Sequence, residues 1–246
     1  TNTYGPDLQA FNINDQLKRV ERDDQRRILL HWAAAQPKYI EVMKLLLEHP
    51  GIDLNVLDMW KTAALHCAVR HDNLEGLQLL IEANAKLDLR GGALRSTALH
   101  MAMEKNHLGM VKILLDAGAD PNRQDRNGRT ALHLANMDIV ALLVNAPKID
   151  VNIQNDENMT VLQQCVAEST FTHLETVKLL LDKGADPDVR TLQNETLLMT
   201  AIAEYNIELV KTLIDKGSDP NVRWEDPDGQ HTFALMMAVE AYNYAN

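Results

Sequence analysis

Apolar positions along this chain fall in two short bursts followed by a polar stretch, and the set recurs about every 33 residues. Between Thr97 and Arg129 the first burst, TALHMAMEK, places Leu99, Ala102 and Met103 at i, i+3 and i+4, one face of a short helix. The second, LGMVKILLDAG, does the same with Val111, Leu114 and Leu115. Gly118 then stands where a left-handed residue closes a helix. ADPNRQDRNGR is polar and ends in Asn127-Gly128, a turn dipeptide. Each unit therefore reads as two antiparallel helices and a projecting hairpin or turn. Two thin helices cannot bury both their faces alone, but stacked neighbours can, so the pattern predicts an all-α repeat solenoid.

The period shows in two series of letters. DAGADPN at Asp116, DKGADPD at Asp182 and DKGSDPN at Asp215 are separated by 66 and 33 residues. The segments ILLHWA (Ile28), AALHCA (Ala63), TALHMA (Thr97), TALHLA (Thr130), TVLQQC (Thr160), TLLMTA (Thr196) and FALMMA (Phe233) follow one another at 35, 34, 33, 30, 36 and 37 residues. The expected organisation is a lead-in over 1–27, six units over 28–232 and a partial unit over 233–246. Departures from the period mark individuality. The fourth unit leaves only Asn136, Met137 and Asp138 between Ala135 and Ile139. The first and fourth gain a residue before the turn, in HPGIDLN and NAPKIDVN. The fifth is stretched at ESTFTH (Glu168–His173), and the sixth has the longest tip, VRWEDPDGQH (Val222–His231). Insertions on one face of a repeat array often lie on its binding face.

The recurring letters resemble the ankyrin repeat family. The residues that carry the likeness are Thr97, Leu99, His100 and Ala102, then Gly118, Ala119, Asp120 and Asn122, then Asp125, Gly128, Thr130, Leu132, His133 and Ala135. It extends from Ile28 to the C-terminus. The resemblance implies stacked repeats in which the signature histidine is structural and hydrogen-bonds backbone. It also implies a concave groove formed by the hairpin tips and the inner face of the first helices, through which a protein partner is read.

Composition narrows the picture. Aromatic residues make up only 4% of the chain, so the core must come from Leu, Ile, Val, Ala and Met. A net charge of −11 argues against generic binding to nucleic acid or to an anionic membrane. No apolar run reaches membrane-spanning length, and TNTYGPDLQA lacks the basic and apolar regions of a leader. The two cysteines, Cys67 and Cys165, match neither a disulfide framework nor a zinc spacing, which suggests a reducing compartment, cytoplasmic or alternatively nuclear. Cys165 takes the place of a core Ala and is expected to be buried and inert, whereas Cys67 lies at the variable position and is the more accessible candidate.

Candidate chemistry dissolves on inspection. His31, His66, His100 and His133 recur one per layer with no carboxylate or thiolate at ligand spacing, so neither metal nor other cofactor is expected. Asn158-Met-Thr160 and Asn194-Glu-Thr196 match a glycosylation pattern, but in both the Thr belongs to the next repeat's helix cap. GGALRST (Gly91–Thr97) lacks the lysine of a phosphate loop, and two hairpin glycines at positive φ would account for it. No catalytic signature is present, and no enzymatic activity is expected of this segment. The run NDQLKRVERDDQRR (Asn14–Arg27) reads as a solvated helix and hairpin rather than a nuclear-localisation signal.

What remains is surface. Counting charge at the tips gives +2 for the second (Arg90, Arg95), +2 for the third (Arg123, Arg126 and Arg129 against Asp125), −2 for the fourth, zero for the fifth and −2 for the sixth. Arginine is suited to carboxylate or phosphate. Trp60 on the first tip and Trp224 on the sixth are costly to expose and of a type enriched at binding hot spots; Trp32 is expected to face the groove or the preceding unit. The expected function is a non-catalytic, monomeric scaffold, adaptor or targeting module. It would contact an acidic or phosphorylated protein segment through Trp60, Arg90, Arg95, Arg123, Arg126, Arg129 and Trp224. The alternatives are the recruiting part of a larger enzyme (a ligase, a palmitoyltransferase or a bacterial effector), an inhibitor of a transcription factor like the IκB class, and a structural spacer.

Overall fold

The computed structural model describes residues 29–167, 174–190 and 195–221, together with the backbone of two short strands at 223–225 and 231–233. The expected lead-in over 1–27, the ESTFTH stretch and most of the C-terminal partial unit lie outside the described residues. The chain divides into two compact bodies, Thr1–Met101 and Ala102–Asn246, the division falling inside one helix.

In the N-terminal body, α1 (Leu29–Ala34) is followed by one 3-10 turn (Pro37–Tyr39) and α2 (Ile40–Leu47). Helices α3 (Ala64–Arg70) and α4 (Leu74–Glu82) form the next pair, and α5 (Ala98–Glu104) begins the third. Helix α1 packs on α2 and α3, and α3 on α4. Leu30, Met43, Leu65, Leu77, Leu80 and Leu99 are buried here, as are the small residues Ala33 and Ala68. Each fully buried Leu is worth roughly 1.5–3 kcal/mol relative to exposure. Asn73 caps α4: its Oδ1 accepts from the Gly76 amide at 3.0 Å, and its Nδ2 donates to the Ala34 carbonyl at 2.9 Å. One buried side chain thus starts a helix and ties it to the preceding pair.

In the C-terminal body, α6 (Leu108–Asp116) is followed by a 3-10 turn (Ala131–Leu134) and α7 (Met137–Leu143). Then come α8 (Val161–Ala167), α9 (Leu174–Asp182), α10 (Leu197–Ala203), α11 (Ile207–Asp215) and the antiparallel strands β1 (Arg223–Glu225) and β2 (His231–Phe233). Trimming of the fourth unit shows directly: its first helix shrinks to the single 3-10 turn, and Ala135 turns extended at ψ 133 so that Asn136 can cap α7 by accepting from the Ile139 amide.

The recurrent heptad is a joint. Gly118, Gly184 and Gly217 adopt φ of 92, 87 and 100, closing α6, α9 and α11. The following Asp bends the chain by accepting from an amide two residues on, as Asp120 does from Asn122 at 3.0 Å and Asp150 from Asn152 at 2.9 Å. The residue that offers this amide then reaches forward. Asn122 Oδ1 accepts from the Asp150 amide at 2.9 Å, Asn152 Oδ1 from the Asp186 amide at 2.8 Å, and the Asp188 carboxylate from the Asp219 amide at 3.2 Å. In the N-terminal body, Asn55 holds the Lys86 amide in the same way at 2.9 Å.

The tips differ from regular hairpins. Among the described residues strand pairing is continuous only between β1 and β2; the tips around Gly91–Ser96 and Arg190–Thr196 each carry one isolated bridge. Elsewhere an Asp or Asn at the base folds the tip onto itself. Asp58 Oδ1 accepts from the amides of Trp60 and Thr62, and Asn155 Oδ1 from those of Glu157 and Met159.

Candidate partner-binding surface

The signature histidines are backbone clasps. His66 Nδ1 accepts from the Ala63 amide at 3.1 Å, and His133 Nδ1 from the Thr130 amide at 3.2 Å, so each starts its own helix. The opposite ring nitrogen then donates across to the next unit: His31 Nε2 to the Thr62 carbonyl at 3.0 Å, His66 to Leu89 at 3.0 Å, and His133 to Met159 at 3.1 Å. Burial holds the His66 pKa below the ordinary imidazole value despite these backbone bonds, so the ring stays neutral. Among the described residues no group of His, Cys, Asp and Glu is disposed to hold a metal, and no helix is long and apolar enough to cross a membrane. Thr160 and Thr196, the hydroxyl residues of the two glycosylation-like patterns, are buried. Thr196 Oγ1 accepts from the Met199 amide as a helix cap.

Two expectations need correction. Cys67 is buried and Cys165 is half-exposed, the reverse of the sequence reading. The physical reason lies in the shortened fourth unit: the neighbour of α8 is one 3-10 turn rather than a two-turn helix, so the core position Cys165 is incompletely covered. Of the paired glycines only Gly92 has positive φ, 74. Gly91 is needed for space instead, because a Cβ there would stand 2.8 Å from the Lys61 carbonyl oxygen and 3.1 Å from His66 Nε2.

The tip residues singled out from sequence fall in two places. Trp60, Arg90 and Arg95 belong to the N-terminal body, where the Gly92 amide donates to the Trp60 carbonyl at 2.9 Å and lays the second tip against the first. Trp60 is 43% exposed, and Arg90 and Arg95 are exposed with no ion pair among the described residues. Arg123, Arg126 and Arg129 belong to the C-terminal body and differ from one another. Arg126 is exposed. Arg123 Nε lies 3.4 Å from Asp120. Arg129 is held from within, its Nε and Nη2 donating to Asp125 Oδ2 at 2.9 and 2.8 Å. Burial alone would raise the Asp125 pKa, but the Arg129 side chain and the amides of Arg129 and Asn127 outweigh it, so the carboxyl titrates below its usual range. Trp224 lies on β1, and its side chain is outside the described residues.

The sequence reading passed over two features. Met59 and Leu94, on the first and second tips, are 53% and 39% exposed, and Lys61 is exposed beside Trp60. The signal was there as apolar letters inside otherwise polar tips. An open cleft of about 500 Å³ also lies between the third and fourth tips, lined by Asn127, Arg129, Asn155, Asp156, Glu157, Met159 and Gln164.

Comparison with known proteins assigns the repeated helix pairs to a family. The family described as ankyrin repeats (three copies) matches in overlapping windows at residues 8–91, 30–125, 65–155, 99–191, 135–224 and 162–246. The chain belongs to the ankyrin repeat family. Ankyrin repeats are protein-interaction modules. Among curated relatives, this ankyrin chain is 34% identical to the nuclear factor NF-kappa-B p105 subunit of Gallus gallus over 76% of its own length and 19% of the relative. It is 30% identical to transient receptor potential cation channel subfamily A member 1 of Homo sapiens over 75% of its length and 13% of the relative. It is 34% identical to palmitoyltransferase ZDHHC13 of Homo sapiens over 52% and 20%. The chain thus spans a fifth or less of these relatives. The solved ankyrin repeat domain of Bcl-3 shares the fold with a TM-score of 0.72 at 23% identity, covering 88% of this chain and 98% of that one. An ankyrin repeat domain from Acinetobacter baumannii gives 0.69 at 27%, covering 77% and 98%.

Proposed function

We propose that this ankyrin chain is a non-catalytic recognition module whose repeats span 28–232, flanked by 1–27 and 233–246, and that it grips an acidic or phosphorylated segment of a protein partner. The observation that carries the reading is the set of exposed cations Arg90, Arg95 and Arg126, without an ion pair among the described residues, on tips fixed by internal hydrogen bonds in a chain whose net charge is −11. A preordered tip loses little entropy when it meets a partner. Arg123 strengthens the third tip once its contact to Asp120 is exchanged; Arg129 contributes shape, since its charge is spent on Asp125. Trp60 and Trp224 complete the set as apolar anchors. The module acts as a monomer, and its two cysteines, neither in a disulfide, suit a reducing, cytoplasmic or nuclear setting.

The test is affinity capture with the wild-type chain and with Arg123→Glu/Arg126→Glu, read by mass spectrometry and followed by titration at two salt concentrations. The reversed variant should lose the partner or bind it at least tenfold more weakly with a flatter salt dependence. Equal binding by both proteins would remove the arginines from the interface. A second reading rests on the short share of each relative that the chain spans: it would then be the recruiting part of a longer protein, whether an enzyme such as a palmitoyltransferase or a transcription regulator. A catalytic or DNA-binding segment in the full-length gene would establish it.

A further inference from the structure

Within the N-terminal body the first two tips are built as one surface. The Trp60 carbonyl accepts from the Gly92 amide at 2.9 Å, and Gly91 passes so close to Lys61 that a Cβ would stand 2.8 Å from its carbonyl oxygen. Met101 in α5 stands next to the second tip: its Cε would lie 3.9 Å from a Cβ on Gly92. This contact carries Met59 and Trp60 on one tip to the side of Leu94 on the next, all three large, apolar and exposed. Their cations stand beside them. Lys61, Arg90 and Arg95 are exposed and have no ion pair among the described residues. Two of them are held in unusual backbone, Lys61 at φ 61 and Arg95 at φ 52. Such residues fit the left-handed region poorly unless they are Asn or Asp, so their side chains are not there for the turn's sake.

The acid nearest Trp60 in the chain is already engaged. Asp58, at the base of the first tip, is buried and its carboxylate is used by the Trp60 and Thr62 amides and by the Thr62 hydroxyl at 2.6 Å. Asp88 is half-buried at the base of the second tip. An apolar patch rimmed by cations marks an interface rather than a solvated face.

Resting on the recognition reading above, we infer that tips one and two form a docking platform for an extended protein segment in which one bulky apolar residue is flanked by Asp or Glu. The apolar residue seats among Met59, Trp60 and Leu94, and the carboxylates pair with Lys61, Arg90 and Arg95. Charge complementarity chooses this occupant over a basic segment, and the apolar centre chooses it over a purely acidic one.

The test is display selection of random twelve-residue peptides on the wild-type chain, with each enriched peptide then titrated by fluorescence anisotropy. Four proteins are compared: wild type, Trp60→Ala, Lys61→Asn/Arg95→Asn and Leu94→Ser, each first shown to melt like wild type. Asn keeps the left-handed backbone at positions 61 and 95 while removing the charge, so a loss there reports charge and not misfolding. Enriched peptides should combine an aromatic or large aliphatic residue with Asp or Glu. They should bind Trp60→Ala and the double Asn variant at least tenfold more weakly, the latter with a reduced salt dependence. Absence of any enriched peptide, or enriched peptides without acidic excess, would overturn the platform. Acidic peptides that bind all four proteins equally would overturn it too, yet leave recognition through other tips standing. Recognition itself fails only if the lysate capture described above also yields no partner.

Discussion

His133 Nε2 donates to the Met159 carbonyl at 3.1 Å, whereas Gln163, at the same position one unit later, buries an Nε2 that has no partner among the described residues. Gln163 Oε1 does copy the helix-starting half of the clasp, accepting from the Thr160 amide at 2.9 Å. The cross-unit half is missing, and a buried orphan donor costs about 1–3 kcal/mol. Gln163→His should therefore stabilise the chain by about 1 kcal/mol, read as a higher urea midpoint with an unchanged slope. An unchanged or lower midpoint would show that the next backbone cannot receive the ring.

Asn152 joins its own unit to the following one twice, through Oδ1 to the Asp186 amide and through Nδ2 to the Gly184 carbonyl at 3.0 Å. Asn152→Ala should cost about 1–2 kcal/mol. Hydrogen exchange at the Asp186 amide should accelerate while that at Leu114, in α6, holds. Uniform acceleration along the chain would mean the joint acts globally.

Acid sensitivity has two named sources. The folded pKa of Asp125 is depressed, so its contribution is complete above the unfolded value of about 3.9 and fades as pH falls through the folded one. Arg129→Gln removes the main hydrogen-bonding partner and should move the acid-unfolding midpoint to higher pH. His66 is also depressed, from 6.5, so the stability it contributes is complete above that value and declines as pH drops below it. His66→Gln should flatten the slope of melting temperature against pH just below 6.5. A slope equal to wild type would assign that sensitivity elsewhere.

Two glycines should respond differently to alanine. At Gly118 nothing lies within 4 Å of a Cβ, so Gly118→Ala pays only for positive φ, about 1 kcal/mol. At Gly91 the obstacle is backbone oxygen at 2.8 Å, which cannot rotate away. Gly91→Ala should cost about 1–3 kcal/mol and push the first two tips apart at this contact. Equal losses of melting temperature at the two sites would contradict the crowding at Gly91.

The solenoid was legible because its signals are local and repeated: the helix faces, the closing glycines and the histidine register can each be read from a few letters. The tips were legible only as composition. Charge counting scored Arg129 with Arg126, but the bidentate grip of Asp125 four residues earlier depends on how the tip folds back. The cysteines were misplaced for a related reason. Cys165 occupies a core register, but its neighbour was shortened thirty residues earlier in the chain. The Asn and Asp residues of the heptad read as turn formers, yet half of their bonding is to the following unit, beyond the reach of a local pattern.

That half has a genetic consequence. In the C-terminal body each forward-reaching Asn or Asp meets an amide of the same kind, offered by an Asp at the same station of the next unit. Excising or duplicating one whole period in frame would present Asn122 with an Asp amide as before, so the gene can lengthen or shorten by a unit without inventing a new seam.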